Sequence, residues 1–147
     1  MNELQKLMDD IREWSDATFG DGQRNPAIVY HLKREVPELI EAIKIYANKV
    51  HLGEECSGDV HKVGYEFADC FMLLLDSASH FGLTAGNLLW YTEEKLKINK
   101  AREWGKPDEN GVVEHIPEPA DKEYICKVCG KVFHSSIPID ICATCYI

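Results

Sequence analysis

Residues 64–76 read GYEFADCFMLLLD. Tyr65, Phe67, Ala68, Cys70, Phe71, Met72, Leu73, Leu74 and Leu75 leave hardly any side of a helix polar, so the stretch predicts a buried helix. Glu66 and Asp69 interrupt it three residues apart. On a helix that spacing puts both carboxylates on one face. Two acids side by side in an apolar run ask for a partner, because a buried anion costs several kcal/mol unless it is compensated.

The helix holding this stretch is expected over about residues 59–81, with Gly82 closing its C-terminus. Ahead of it HLGEECSGD (51–59) reads as a loop. A preceding helix is expected from Asn25, a candidate cap with Pro26 in the first turn, to about Val50. Pro37 inside it removes one hydrogen bond and favours a kink near Lys33. Leu4, Leu7, Met8, Ile11 and Trp14 recur at helical spacing and place a first helix over about residues 2–18, which FGDGQRNP (19–26) breaks. Thr84 is positioned to cap a fourth helix reaching about Trp104, where Gly105 and Pro107 stop it. Long helices with short connections predict an all-α fold, an antiparallel four-helix bundle. Residues 106–120, KPDENGVVEHIPEPA, are proline-rich and poor in apolar side chains. The organisation expected is a helical domain over 1–107, a linker over 108–120 and a small appendage over 121–147.

The second helix carries acids of its own in KREVPELIE (33–41): Glu35 and Glu38 repeat the spacing of Glu66 and Asp69, and Glu41 lies one turn further. Two helices with one acid pair each build a four-carboxylate pocket when packed antiparallel. Oxygen-only ligands suit hard divalent ions, Mg²⁺ or Mn²⁺, better than zinc. The plainer alternative has these acids facing solvent and pairing with Lys33, Arg34 and Lys44. A diiron carboxylate site commonly uses a Glu-x-x-His pair. None of the six histidines (31, 51, 61, 80, 115, 134) has a glutamate three residues before it.

On the fourth helix Lys95, Asn99 and Arg102 fall at i, i+4 and i+7, one face. Lysine and arginine can bind phosphate there, the arginine in bidentate fashion; the alternative is a charged face with Glu94 and Glu103 as partners. Trp14, Phe19, Trp90 and Tyr91 are either base-stacking residues or core. Asp76, seven residues beyond Asp69, is either an outer metal ligand or a helix-pairing residue, and Glu41 is similarly open.

Glu35-x-x-Glu38 followed by Glu66-x-x-Asp69 resembles the signature of the all-α nucleotide pyrophosphohydrolases, the MazG-like superfamily. The flanking LKREVPELIEAI and YEFADCFMLLLD resemble it too. So does the end of the fourth helix, EKLKINKAREWGKP (94–107), which fits K-x-x-x-N-x-x-R-x-W-G-x-P. With IREWSDATFG (11–20) the nearest branch is the dATP/dGTP diphosphohydrolase type, often found in bacteriophages. The resemblance covers about residues 8–107. It implies cleavage of a nucleoside triphosphate, here a purine deoxynucleotide, to monophosphate and pyrophosphate. It further implies Glu35, Glu38, Glu66 and Asp69 as catalytic residues and ligands of Mg²⁺ or Mn²⁺, and Lys95, Asn99, Arg102 and Trp14 as substrate-binding residues. A homo-oligomer, dimer or tetramer, is implied as well.

The tail reads C-x₂-C-x₁₂-C-x₂-C over Cys126, Cys129, Cys142 and Cys145. A segment this small cannot build a core and needs a staple. Two CxxC pairs predict a tetrahedral Cys₄ zinc ribbon. Gly130 suits the tight turn after Cys129, and His134 is a poorer candidate ligand. Cys56 and Cys70 stand alone.

The net charge is −9, and residues 121–147 balance three basic residues against three acids, so the deficit lies in residues 1–120. An acidic body repels phosphate backbones and argues against nucleic acid as the main ligand. No apolar run approaches the roughly 20 residues of a membrane span. The start, MNELQKLMDDIREW, carries acids where a signal peptide needs basic and then apolar residues. A cytoplasmic protein is expected, in the host cytoplasm if phage-encoded. Two functions fit: a metal-dependent nucleotide pyrophosphohydrolase, or a zinc-ribbon adaptor whose helical body only scaffolds partners. The acids in the apolar run favour the first.

Overall fold

The computed structural model describes residues 3–22, 24–116, 122–135, 140–142 and 145. The fold is all-α with a small cysteine-bearing appendage. Four helices, α1 (Glu3–Phe19), α2 (Asn25–Leu52), α3 (Ser57–His80) and α4 (Ala85–Ala101), precede a two-stranded antiparallel sheet of β1 (Lys122–Ile125) and β2 (Val132–Ser135). The chain forms two compact units, residues 1–90 and 91–147.

In the first unit the core is Met8 and Ile11 of α1, Leu75 of α3 and Ala85 at the start of α4. Leu4, Met72, Ala78 and Leu88 pack around it. Burying one side chain of the Met or Leu class stabilises by about 1.5–3 kcal/mol, so this cluster is what holds α1 on α3. The polar ties give the directions. Lys49 near the end of α2 pairs with Asp59 near the start of α3 at 2.7 Å. Asn25, at the opposite end of α2, donates its amide to the Ser77 carbonyl at 2.7 Å and accepts from the Phe81 N–H at 3.1 Å. The two helices are therefore antiparallel. α1 is likewise antiparallel to α3: Ser15 meets Asp76, Arg12 meets Ser79, and Gln5 accepts from the Ala85 N–H at 2.8 Å.

The helix ends follow residue chemistry. Gly82 at φ +88° closes α3, with Gly82 N–H on the Ser79 carbonyl and Leu83 N–H on the Ala78 carbonyl, the paired bonds of a Schellman turn. Thr84 and Asn87 then cap α4 reciprocally: Asn87 N–H donates to Thr84 Oγ1 at 3.1 Å and Thr84 N–H to Asn87 Oδ1 at 2.9 Å.

Three expectations are corrected. Asn25 does not cap α2: Arg24 holds the cap position without a side-chain bond, and the Asn25 amide is used across the helix pair instead. α4 ends at Ala101, three residues short of Trp104. There the backbone turns to β-like pairing, with Trp104 bridged to His115 and Gly105 N–H on the Glu114 carbonyl at 2.9 Å, while the Trp104 indole takes the Asn99 carbonyl. The run 64–76 is also not buried on all sides. Tyr65 is 73% exposed, Phe67 54% and Leu74 54%, and within α3 only Cys70, Leu75 and Asp76 are buried. A helix apolar all round needs covering all round, and α1 and α2 cover part of it.

In the second unit β1 and β2 pair in register from Lys122↔Ser135 to Ile125↔Val132, with Tyr124 against Phe133. Cys126–Gly130 turns between the strands. Gly130, at φ +69°, donates to the Cys126 carbonyl at 2.8 Å; a side chain would be strained at that φ. Among the described residues no helix is long and apolar enough to cross a membrane.

Candidate functional site

The antiparallel packing of α2 on α3 brings carboxylate oxygens of Glu35, Glu38 and Glu66 within 4.8 Å of one another. Glu35 and Glu66 are half-buried and Glu38 is exposed. Like charges this close repel, and partial burial strengthens the repulsion. An all-carboxylate donor set is what hard divalent cations take, so the three residues fit Mg²⁺ or Mn²⁺. Asp69 lies outside this triad. It sits one helical turn beyond Glu66 and lines an adjoining cavity with Glu35. Burial pushes the Cys70 thiol up, and nearby Glu35, Asp69 and Glu66 push it the same way.

The cavity measures about 220 Å³. Ile11, Met72 and Leu73 make its apolar side, and Trp14 adds an aromatic wall. His31, Glu35, Asp69 and Asp76 supply the polar side. His31 Nε2 lies 2.8 Å from Glu35 Oε1, one helical turn apart on α2. Trp14 is 53% exposed and Phe19 56%, so neither is core. Their rings meet edge to face at 5.6 Å, and the Arg24 guanidinium lies 4.6 Å over Phe19.

Behind the cavity stands a buried polar network. Ser15 and Asp76 are 0% and 4% exposed, and Ser15 Oγ donates to Asp76 Oδ2 at 2.8 Å. Arg24 Nη1 donates to Ser15 Oγ at 2.8 Å. His80 Nε2 lies 3.0 Å from Asp16 Oδ1, and Arg12 Nε donates to Asp16 Oδ2 at 2.7 Å. The Arg12 bond holds the Asp16 carboxyl below its ordinary range; burial opposes this and the His80 bond adds to it. Of the two open readings of Asp76, pairing α3 to α1 is the contact observed. Ser15 and His80 are invisible in the sequence, where a lone serine or histidine on a helix carries no pattern. His31 does leave a trace, its i, i+4 spacing to Glu35.

In the second unit Lys95 is exposed, and Asn99 and Arg102 are half-buried. Arg102 lies just past the end of α4, not on its face. It donates from Nη1 to Asn99 Oδ1 at 3.2 Å, and its buried Nε has no partner among the described residues. Glu94 pairs with Lys97, at 2.6 Å.

The four tail sulfurs, Cys126, Cys129, Cys142 and Cys145, also lie within 4.8 Å of one another. Cys129 and Cys142 Sγ are 3.7 Å apart. A tetrahedron with Zn–S bonds near 2.3 Å needs about 3.8 Å between sulfurs, so the group fits zinc. N–H groups of Cys142 and Cys129 bring the Cys126 thiol down to about 6. Hydrogen bonding with Cys129, then burial, pushes Cys145 up to about 12. His134 is exposed on β2 and outside the cluster.

No curated protein and no solved structure matches the chain. A family model described as dATP/dGTP pyrophosphohydrolase matches residues 51–122. That span, just short of half the chain, holds Glu66, Asp69 and the Lys95-Asn99-Arg102 segment, and leaves Glu35 and Glu38 outside. It implies a hydrolase acting on nucleoside triphosphates. The match supports the MazG-like superfamily of all-α nucleotide pyrophosphohydrolases.

Proposed function

We propose that the chain is a metal-dependent nucleoside triphosphate pyrophosphohydrolase that cleaves a purine deoxynucleotide to its monophosphate and pyrophosphate. One observation carries the reading most: the carboxylates of Glu35, Glu38 and Glu66 converge within 4.8 Å across two helices. Surface acids gain nothing from convergence, whereas a cation site requires it.

Glu35, Glu38 and Glu66, with Asp69 alongside, would hold Mg²⁺ or Mn²⁺. When bound, such ions offset the negative charge of the triphosphate and polarise the phosphoryl oxygens. A water oxygen then bonds to the α-phosphorus while the α–β bridging bond breaks and pyrophosphate leaves. One carboxylate of the cluster orients that water and takes its proton. Trp14 offers a face for the base. Lys95 and Arg102 are assigned to the phosphates, and Asn99 to a phosphate, the sugar or the base. Residues 1–107 would carry the reaction, joined through 108–120 to a zinc-stapled 121–147. Exposed Phe67, Phe71 and Leu74 on α3 with Val36, Ile40 and Ile43 on α2 support self-association as a dimer or tetramer. A cytoplasmic site of action completes the reading.

The test is direct. The full chain is incubated with Mg²⁺ or Mn²⁺ and a panel of ribo- and deoxynucleoside triphosphates, and pyrophosphate is assayed. Metal-dependent release, greatest for dATP or dGTP, is expected. No release from any nucleotide with either metal would leave the helical body as a scaffold.

A further inference from the structure

The cavity wall holds one imidazole among its acids. His31 lies on α2, one helical turn before Glu35, and lines the cavity with Glu35, Asp69 and Asp76. Its Nε2 is 2.8 Å from Glu35 Oε1, within hydrogen-bonding distance. The ring is not itself one of the convergent ligand groups: Glu35, Glu38 and Glu66 form that set without it. The two partners also differ in surroundings. The His31 side chain is 57% exposed and that of Glu35 18%, so an open ring is paired with an enclosed carboxylate.

Most i, i+4 pairs only add a little stability to their helix. Lys6 and Asp10 on α1, with side chains 68% and 56% exposed, are a pair of that kind. His31 and Glu35 differ in what the acid does. Glu35 belongs both to the carboxylate triad and to the cavity wall. A glutamate has several rotatable bonds, and holding it in one rotamer costs conformational entropy. Its oxygen also stands within 4.8 Å of two other carboxylates, which repel it. Left unrestrained, Glu35 gains by swinging away from Glu38 and Glu66. In metal sites a neighbour bonded to the ligating side chain supplies the restraint, and removing that neighbour commonly lowers metal affinity about 10- to 100-fold.

We infer that His31 is a positioning residue for the cation site: through Glu35 Oε1 it holds that carboxylate alongside Glu38 and Glu66 before a divalent ion arrives. The inference rests on the metal-dependent reading above and deepens it. The role has a sign that charge alone does not share. A histidine acting only by its charge would repel a divalent ion, and its removal would tighten binding. A histidine that holds Glu35 weakens binding when it is removed.

The experiment measures Mn²⁺ binding to the full chain at one fixed pH, from the electron paramagnetic resonance signal of the free ion. The parent is compared with His31→Ala, His31→Gln and Lys6→Ala. His31→Ala should bind Mn²⁺ about tenfold or more weakly. His31→Gln places an amide nitrogen near the position of Nε2 and should stay within about threefold of the parent. Lys6→Ala breaks the exposed pair on α1 and should leave the affinity within about twofold. The helical melt of His31→Ala, read by circular dichroism, should move no more than that of Lys6→Ala. In steady-state turnover the loss should appear in the Mn²⁺ concentration giving half-maximal rate, with kcat at saturating Mn²⁺ near that of the parent. Affinity in His31→Ala equal to or tighter than the parent's, or an equal loss in His31→Gln, overturns the assignment while the metal-dependent reading stands. A parent that binds no Mn²⁺ overturns the metal-dependent reading itself.

Discussion

Replacing Ser15 with alanine removes a single oxygen from the interior, and its cost can be worked from the contacts. Ser15 is fully buried; its Oγ donates to Asp76 Oδ2 at 2.8 Å and accepts from Arg24 Nη1 at 2.8 Å. A hydrogen bond to a charged group contributes about 1.5–3 kcal/mol. Without it Asp76 keeps a buried carboxylate whose remaining partner is the His80 ring, 3.0 Å from Oδ1. Arg24 fares better, since it is half-buried and already stacks on Phe19. The expected loss is about 2 kcal/mol, which for a chain near this length lowers Tm by about 4–8 °C. Thermal unfolding of the full chain, followed by far-UV circular dichroism, measures it. Asp76→Leu on the Ser15→Ala background removes the buried charge, so the double variant should lose about 1–2 kcal/mol less than the sum of the single losses. A loss for Ser15→Ala inside the roughly 0.5 kcal/mol scatter of surface substitutions, or strict additivity of the pair, refutes the view that this bond ties α1 to α3.

Asp69→Asn should cut turnover by orders of magnitude, and adding Glu66→Gln should cost little more, because groups acting as one unit are not additive; multiplicative losses in steady-state kinetics would mean two separate sites. Either change eases carboxylate repulsion, so metal-free stability in urea should hold or rise. One zinc per chain is expected by elemental analysis of protein purified without added metal, and Cys126→Ser should expose residues 121–147 to protease while leaving the helical melt in place. Disulfides joining Cys126 to Cys129 and Cys142 to Cys145 would contradict this. Asp16 gives a pH dependence. Its carboxyl is held below the unfolded value of about 3.9 by Arg12, so the stabilisation is complete above about pH 4 and is lost as pH falls through the lower folded value. Arg12→Met should shift the acid-unfolding midpoint, read by circular dichroism, to higher pH; an unmoved midpoint would show that the pair contributes nothing.

The fold was legible where residue type alone decides. Helical spacing in Leu4, Leu7, Met8 and Ile11, the cap chemistry of Thr84 and the positive φ demanded of Gly82 all belong to local sequence. The end of α4 was not, because the pairing of Gly105 with Glu114 and Trp104 with His115 competes with the helix from ten residues away. Nor was the exposure along 64–76. A run apolar on every side says that it wants cover, not which side its neighbours supply. At the site, i, i+3 spacing put Glu35 with Glu38 and Glu66 with Asp69 on faces that can meet. Spacing does not say that three of these oxygens converge while Asp69 turns to the cavity, since that depends on the rotation of α2 against α3. Ser15, Arg24 and His80 acquire meaning only through Asp76 and Asp16, across long sequence separations.

The most direct test of the central claim is to follow one deoxynucleoside triphosphate, dATP or dGTP, by ³¹P NMR in the presence of Mg²⁺ or Mn²⁺, with the parent chain and with Glu66→Gln. The account predicts monophosphate and pyrophosphate in equal amounts from the parent, no diphosphate at any time, and a loss of orders of magnitude in Glu66→Gln with its helical spectrum intact. Accumulation of diphosphate and inorganic phosphate, or parent-like turnover by Glu66→Gln, would contradict it.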